Sequence, residues 1–351
     1  MTRGLGVLVV LPVLAMLVAA GPVAGAAPEA PVTRCALRDR TLDEVSGLAV
    51  TPSGPAVVND SGNATVVYTL APNCSVASTR QVGVTGRDVE DLARSDGTLW
   101  LADIGDNDRR RSNIALIRLP VRGGPTVLRL TYPDGSHDAE TLLLPADGRP
   151  VIVTKDLGGR SGIYATDVPP TAAATTPLHR VGELDVPLSS TEGGPLGPFG
   201  RGLFTGGALS ADGRVAAVRT YTDAWLYPVT GGTADDVVAG LRAAPVGVPL
   251  PGEPQGEAVA FTADGTLLSA GEAGDSGGTA SLRAVPGAAG LVGRAPQTAT
   301  PAPGSPESGD PPSGPPVVVA EVVVGAVVVL GVLGGVALAV RARRRSGRSR
   351  R

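Results

Sequence analysis

A five-fold repeat of one short pattern constrains the fold of this chain more than any other feature. In each repeat an acidic or polar residue precedes a short apolar run, and a turn and a second apolar run follow. The repeated segments are 44–49, 88–93, 138–143, 205–210 and 255–260. Their spacings are 44, 50, 67 and 50 residues, measured between the apolar anchors Leu48, Leu92, Leu142, Leu209 and Val259. A weak repeat of this period, built from short strands, predicts an all-β protein of the β-propeller class.

Each repeat also contains the signals of a hairpin. Dipeptides such as Asp212-Gly213 and Asp264-Gly265 separate two apolar runs, which is typical of tight β-turns. Third and fourth strands follow in most repeats, so we predict five blades. The fourth strand of the first blade is predicted at 82–84.

Two intervals decide how the ring closes. The last repeat lacks an obvious fourth strand, and residues 32–37 can supply one, which would join the two ends of the domain and remove an open sheet edge. The longest interval leaves room for an insertion around 189–202. A sixth, degenerate blade in that insertion is the alternative to five blades.

The two ends of the chain predict export and membrane anchoring. Residues 1–26 combine Arg3, an apolar run and a small-residue cleavage pattern, which is typical of a signal peptide. We assign 27–294 to the propeller ectodomain and the Pro-rich stretch 295–316 to an extended stalk.

The following 24 residues, 317–340, predict one transmembrane helix, since Glu321 is their only charge. Seven arginines lie in 341–351, so the positive-inside rule predicts a cytoplasmic tail. We therefore expect a single-pass protein of the cell membrane with an extracellular propeller.

Charge limits the class of partner. The net charge is −3, but residues 27–316 contain 22 basic and 32 acidic residues, because Arg3 and the arginine tail lie outside this range. An acidic ectodomain excludes nucleic acid as the expected partner and is compatible with binding cations. We expect a monomer that binds an unknown extracellular ligand.

The chain has two cysteines, Cys35 and Cys74, and both lie in the predicted ectodomain. In an exported protein such a pair predicts one disulfide. A metal site is disfavoured, because two thiols at this spacing lack nearby histidine ligands.

Polar residues recur at equivalent places of the repeats, and in a propeller these places converge on one mouth of the central channel. Crowded carboxylates repel one another, and a bound cation relieves this repulsion. Oxygen donors favour Ca²⁺, whereas Zn²⁺ prefers His and Cys. We therefore predict a metal site, with Ca²⁺ as the candidate, formed by Glu90, Glu140, Glu257, Asp60, Asp103 and Glu272. The alternative is that these charges cap the strands and pair with one another.

Two basic residues fall among these acids, at the ends of second strands. Lys155, the only lysine of the chain, and Arg219 are predicted to bind an anionic part of the ligand. The sequence contains no nucleophile-elbow, P-loop or HExxH motif.

Several motifs resemble those of secreted bacterial propellers. They are the run 103–107 with Arg111, the pair 132–135 and 138–140, the run 153–155, the run 219–221 and the run 255–258. These motifs are similar to the broad group of phytase-like esterase and SdiA-regulated propellers, over about residues 40 to 275. The resemblance implies a propeller fold and adds Asp106, Asn107, Arg111 and Gln255 to the predicted ligand-binding residues. The chain departs from the pattern in the fourth blade, where Gly207 stands in place of the repeated acid.

Two functions follow as hypotheses. The first is a membrane-anchored propeller that binds or scaffolds a ligand at an acidic channel mouth. The second is a calcium-dependent phosphoesterase or esterase of the phytase-like type. Since one fold hosts both functions, the fold alone does not choose between them.

Overall fold

The computed structural model describes residues 28–60, 62, 64–274 and 278–293. The predictions for the signal peptide, stalk, membrane span and tail fall outside these residues. Within the described ranges, no helix is both long enough and apolar enough to cross a membrane.

Strands dominate the described residues. In chain order they are β1 (Val32–Ala36), β2 (Val45–Thr51), β3 (Gly54–Asn59), β4 (Val66–Leu70), β5 (Val76–Gln81), β6 (Val89–Ser95), β7 (Thr98–Asp103), β8 (Ile114–Leu119), β9 (Thr126–Thr131), β10 (Ala139–Leu143), β11 (Val151–Thr154), β12 (Arg160–Ala165), β13 (Thr176–Pro177), β14 (His179–Asp185), β15 (Phe204–Leu209), β16 (Val215–Thr220), β17 (Asp223–Pro228), β18 (Val246–Pro249), β19 (Gln255–Phe261), β20 (Leu267–Glu272) and β21 (Ser281–Val285). Helix α1 spans Ala234–Gly240, and 3-10 turns span Arg40–Leu42, Gly197–Gly202 and Ala288–Leu291.

These strands form the five antiparallel sheets of a five-bladed β-propeller, which confirms the predicted fold class. From the centre outward the blades are β2-β3-β4-β5, β6-β7-β8-β9, β10-β11-β12-β14, β15-β16-β17-β18 and β19-β20-β21-β1. The innermost strands contact one another around the ring. The short strand β13 adds a parallel pair to the outer edge of the second blade.

The ring closes as the sequence predicts. β1 pairs antiparallel with β21, so the N-terminal strand completes the last blade. The predicted disulfide is confirmed: Cys35 on β1 is bonded to Cys74, and their Cα atoms are 5.8 Å apart. This bond links the closing strand to the first blade.

One prediction of strand position is wrong, and it concerns the first blade. The fourth strand of the first blade is β5, and residues 82–84 form the connection to the second blade. Val82 is buried in the apolar cluster between these two blades, so packing rather than strand pairing explains its apolar character. The sixth, degenerate blade that stood as the alternative to five is absent from the described residues. The interval from 186 to 203 instead crosses the mouth side of the propeller as an irregular segment, which we call the strap.

The inner strands approach one another closely, so the channel is narrow. A Cβ at Gly47 would lie 2.6 Å from the backbone nitrogen of Leu92, and a Cβ at Gly206 would lie 2.3 Å from the carbonyl oxygen of Glu257. These distances are too short for a side chain, and only glycine fits at such contacts. The narrow channel brings polar side chains of different blades within reach of one another.

Candidate functional site

A β-bulge near the start of each inner strand places the repeated polar residue. At this point of every blade, two residues of the inner strand face one residue of the second strand. The residues skipped by the register are Ser46, Glu90, Glu140, Thr205 and Glu257. The sequence alignment of the fourth blade is therefore wrong by two residues, because Thr205, and not Gly207, is the equivalent of Glu90.

The carboxylates at this end of the channel form what we call the acidic mouth. Its members come from the first, second, third and fifth blades, and they are Asp60, Asp88, Glu90, Asp138, Glu140, Glu257 and Glu272. Glu90, Glu140 and Glu257 are each no more than 4% exposed. The charges of Asp60 and Glu140 both raise the pKa of Glu90, and those of Glu257 and Asp60 raise the pKa of Glu272. These groups therefore share one electrostatic environment, as the repeat predicts.

Three of these carboxylates lie close enough to share a cation. One oxygen from each of Asp60, Asp88 and Glu90 lies within 4.8 Å of the other two. Asp60 follows β3, Asp88 precedes β6 and Glu90 is the bulge residue of β6. The sequence prediction included Asp60 and Glu90 but not Asp88. The pattern does place Asp88 two residues before Glu90, at the same position as Glu44 and Asp138 in their repeats.

Contacts on two sides fix the carboxylate of Glu90. Ser46 Oγ donates hydrogen bonds to the Glu90 carbonyl oxygen at 2.8 Å and to Glu90 Oε2 at 3.1 Å. A Cβ at Gly105 would lie 2.2 Å from Glu90 Oε1, so the loop after β7 covers the other side of the carboxylate. Burial and then the charges of Asp60 and Glu140 raise the pKa of Glu90 well above its ordinary value.

On the third blade, Lys155 is the counter-ion of Glu140. Its Nζ donates to Glu140 Oε1 and lies 5.1 Å from the centre of the Tyr221 ring. Burial by itself lowers the pKa of Lys155, but the charges of Glu140, Tyr221 and Glu257 outweigh it and raise that pKa well above its usual value. Lys155 is therefore charged, and the geometry joins it to Glu140 rather than leaving it open to solvent.

The acids of the fifth blade are less well neutralised. Gln255 Nε2 donates to Glu257 Oε1 at 2.9 Å, which leaves Glu257 Oε2 buried and without a hydrogen-bond partner in the described residues. Burial raises the pKa of Glu257 to about 7. Burial and the charges of Glu257 and Asp60 raise the pKa of Glu272 to about 9. These carboxylates would release protons if a cation entered the mouth.

Arg219 lies beside the acid of the fifth blade, and its charge opposes the burial that raises the pKa of Glu257. It is fully buried between the fourth and fifth blades, where its guanidinium donates to Glu253 Oε2 at 2.8 Å and Ser269 Oγ at 2.8 Å. It also donates to the carbonyl oxygens of Thr220 and Tyr221. With its nitrogens bonded inside the protein, Arg219 joins two blades, and this geometry does not support its predicted contact with ligand.

The loop 103–111 builds the wall of the mouth. Asp103 accepts from the backbone nitrogens of Arg87 at 3.1 Å and Asp88 at 3.0 Å, and it pairs with Arg111 at 3.0 Å. Arg111 also donates to the carbonyl oxygens of Gly105 and Asp103. These contacts hold Gly105 against Glu90, so Asp103 and Arg111 support the loop that covers Glu90.

The other two predicted residues of this loop differ in exposure. Asp106 is buried, accepts from the backbone nitrogens of Arg110 and Arg111, and donates its own backbone N–H to Asp138 Oδ1 at 2.8 Å. Asn107 is exposed at the outer surface of the loop. The structure leaves the predicted ligand-binding role of Asn107 untested.

Sequence reasoning missed Asp91, which forms the floor of the mouth. Asp91 is fully buried, and its carboxylate accepts from the backbone nitrogens of Leu92 at 2.8 Å, Leu142 at 2.8 Å and Gly207 at 3.3 Å. It thus links the inner strands of three blades. Burial raises the pKa of Asp91 to about 8, although the three N–H donors oppose this shift. A signal exists in hindsight, because the aligned position holds Gly47, Thr141, Gly206 or Ala258 in the other repeats.

No protein-family model matches the sequence, and no curated protein matches it. One solved structure with a similar fold is a luciferin-regenerating enzyme, with 12% identity, a TM-score of 0.41 and coverage of 70% of this chain and 79% of that one. The PQQ-bound aldose sugar dehydrogenase from Streptomyces coelicolor has 14% identity, a TM-score of 0.41 and coverage of 74% and 99%. A gluconolactonase from Xanthomonas campestris has 16% identity, a TM-score of 0.38 and coverage of 69% and 72%. At such identities and scores, these likenesses do not bear on activity.

Proposed function

We propose that this protein is a ligand-binding propeller of the cell surface whose acidic mouth binds a divalent cation, with Ca²⁺ as the candidate. The observation that carries the proposal is the approach of Asp60, Asp88 and Glu90, which bring one carboxylate oxygen each within 4.8 Å of one another. A set of carboxylate oxygens suits a hard cation such as Ca²⁺. The cell-surface placement rests on the predicted segments 1–26 and 317–340.

The distribution of charge supports a cation on the side of the first two blades. Lys155 already pairs with Glu140 on the third blade. Burial raises the pKa of Glu90, and the neighbouring charges of Asp60 and Asp88 raise it further. A bound cation would replace this repulsion by attraction, and it would favour the ionised form of Glu90.

The test is the calcium response of the purified protein after removal of bound metal with EDTA. A ligand that binds only the folded state stabilises it by about 2.7 kcal/mol at a free concentration of 100 Kd. We expect Ca²⁺ to raise the melting temperature, and we expect Glu90→Gln to reduce that rise, because the variant removes a charged ligand atom and keeps the shape. Glu183→Gln, a change at an exposed residue of β14, is the control and should respond like the wild type. If no divalent ion stabilises the wild type at millimolar concentration, the metal proposal is wrong.

A second candidate is a metal-dependent hydrolase of phosphoesters or esters, in line with the resemblance to phytase-like propellers. The observation that favours it is the pairing of Lys155 with Glu140, which places a cation among the carboxylates, where an anionic substrate that displaced Glu140 would find a positive partner. We would assay p-nitrophenyl phosphate and p-nitrophenyl acetate with and without Ca²⁺. Calcium-dependent turnover that Glu90→Gln abolishes would support hydrolysis, and its absence would leave only the binding function.

A further inference from the structure

Four exposed apolar side chains lie on the same side of the propeller as the acidic mouth. Leu157, Leu188, Leu196 and Phe199 are 64%, 101%, 41% and 68% exposed, and all four lie on the mouth-side connections of the third and fourth blades. The other large apolar side chains that are exposed within the described ranges are more scattered, and they are Val32, Val121 and Val168. Single exposed apolar residues are ordinary, whereas a group beside a polar cleft marks an interaction site.

The strap carries this group from the rim of the propeller to the mouth. Val186 donates its N–H to the Gly159 carbonyl at 2.8 Å, which places Leu188 and Leu157 at the outer edge of the third blade. At the other end of the strap, Gly200 lies against the ring of Tyr221. That ring faces Lys155, which is bonded to Glu140 of the acidic mouth. Phe199 therefore precedes the residue of the strap that packs against Tyr221.

Polar contacts fix the strap in this position. Thr191 Oγ1 donates to Asp223 Oδ1 at 2.7 Å, and the Gly194 N–H donates to the Glu253 carbonyl at 2.9 Å. Leu196 has a φ of 62°, a left-handed conformation that is uncommon for a leucine. Such a conformation persists only where the surroundings impose it, and it is found most often at binding and catalytic sites. The strap thus presents its apolar side chains from a fixed backbone.

We propose that the ligand of this surface is an extended peptide that inserts a basic side chain into the acidic mouth and lays apolar side chains along the strap. This inference rests on the proposed function, because it assigns a ligand to the same mouth. Glu140 Oε2 and Glu257 Oε2 are buried and have no hydrogen-bond partner within the described residues, so each lacks the donor that an ammonium or guanidinium group of a ligand would supply. Lys155 leaves these acids only partly neutralised.

The dimensions favour a peptide over a small molecule. The outermost strand of the third blade, β14, is three strands away from β10, which is about 14 Å at the ~4.8 Å spacing of paired strands. An extended chain of four or five residues covers that distance at roughly 3.3 Å per residue. An anionic membrane surface is a poorer partner, because the carboxylates of the mouth would repel it.

The experiment selects random hexapeptides displayed on phage against the purified full-length protein in EDTA, so that the outcome does not depend on calcium. We expect enrichment of sequences with Lys or Arg flanked by Leu, Ile or Phe. The most enriched peptide is then synthesised with a fluorophore, and its affinity is measured by fluorescence anisotropy. The strap variant Leu188→Ser/Phe199→Ser should bind about tenfold more weakly or worse, since buried apolar anchors dominate peptide binding. The matched control is Val121→Ser/Val168→Ser, which removes exposed apolar groups from turns outside the strap and should change affinity less than twofold.

The outcomes separate this inference from the proposed function. Lack of enrichment, enriched peptides without a basic residue, or equal weakening in the strap and control variants would each overturn the peptide proposal. A basic-to-Glu change in the peptide that leaves affinity intact would do the same. The calcium response of the strap variants should match the wild type. Peptide binding without any calcium response would instead refute the metal proposal and leave this one standing.

Discussion

Glu90 and Asp91 are consecutive in sequence, yet their carboxylates have different surroundings. Glu90 is the bulge residue of its blade and belongs to the acidic mouth, where other carboxylates raise its pKa. Asp91 accepts hydrogen bonds from the backbone of three inner strands. Glu90 thus belongs to the group of carboxylates at the mouth, whereas Asp91 stabilises the packing of the ring.

The first prediction at this scale concerns Asp91→Asn. At pH 9, above its pKa of about 8, the Asp91 carboxylate has two acceptor oxygens for three N–H donors, whereas the amide keeps one oxygen and turns an NH₂ group toward a donor. Buried donors left without acceptors cost about 1–3 kcal/mol. We expect urea unfolding at pH 9 to show a loss of this size, and we expect the exposed turn variant Asp96→Asn to unfold like the wild type. Equal stability of Asp91→Asn and the wild type would contradict a structural role for Asp91.

A second prediction concerns the Lys155–Glu140 pair. Removing one partner of a buried ion pair typically costs about 3–5 kcal/mol, because the other charge stays buried. Burial raises the pKa of Glu140 and Lys155 opposes this shift, so Lys155→Met should let Glu140 take up a proton more readily. We expect the loss of stability to be larger at pH 8 than at pH 5.5. The double variant Lys155→Met/Glu140→Gln should recover part of the loss, and a purely additive pair would show that the contact is not coupled.

At the scale of elements, the bulges and the closing strand determine what the repeat can do. A bulge adds one residue to the inner strand and reorients its side chain, which is why the polar residues of several blades meet at one end of the channel. The closing pair β1–β21 keeps the fifth blade in the ring and thereby keeps Glu257 and Glu272 beside the acids of the first blade.

The disulfide prediction belongs to this scale. Cys35 and Cys74 are 39 residues apart, and such a cross-link stabilises mainly by restricting the unfolded chain. The variant Cys35→Ser/Cys74→Ser should lower the free energy of unfolding by about 2–4 kcal/mol. Urea unfolding of the wild type with and without a reductant gives an independent measure. Unchanged midpoints in both comparisons would show that strand pairing alone closes the ring.

For the molecule as a whole, the acids determine how stability depends on pH. Burial raises the pKa of Glu257 to about 7, of Asp91 to about 8 and of Glu272 to about 9. A carboxyl group with a raised folded pKa contributes stability that is fully present below its unfolded pKa and is lost as the pH rises through the folded pKa. The exposed caps Asp39, Asp212 and Asp264 have lowered pKa values, so their contributions are already complete above about pH 5.

We therefore predict that the metal-free protein loses stability between pH 5.5 and pH 9, by about 2 kcal/mol or more. Urea unfolding in EDTA at several pH values measures this slope. Added Ca²⁺ should reduce the slope, because a cation favours the ionised acids. A free energy of unfolding that stays flat or rises over this range would show that the mouth carboxylates ionise without cost.

Much of the fold could be predicted from local patterns. Apolar alternation and Asp-Gly turns depend on a few neighbouring residues, so the hairpins around Gly213 and Gly265 and the five-fold repeat are visible in the sequence alone. The pairing of Cys35 with Cys74 needed only a count of cysteines. Val82 shows the limit, since an apolar residue in a packed connection looks the same as one in a strand.

The candidate site was predictable in composition but not in geometry. The sequence by itself determined that Glu90, Glu140 and Glu257 recur at equivalent positions and therefore converge. Only the tertiary structure decided that Arg219 joins two blades, that Asp103 supports a loop, and that Asp88 meets Asp60 and Glu90. The physical reason is that convergence follows from the symmetry of a repeat, which is encoded locally. Partners of a buried charge come from other blades, and their identity depends on distances between segments that are far apart in the chain.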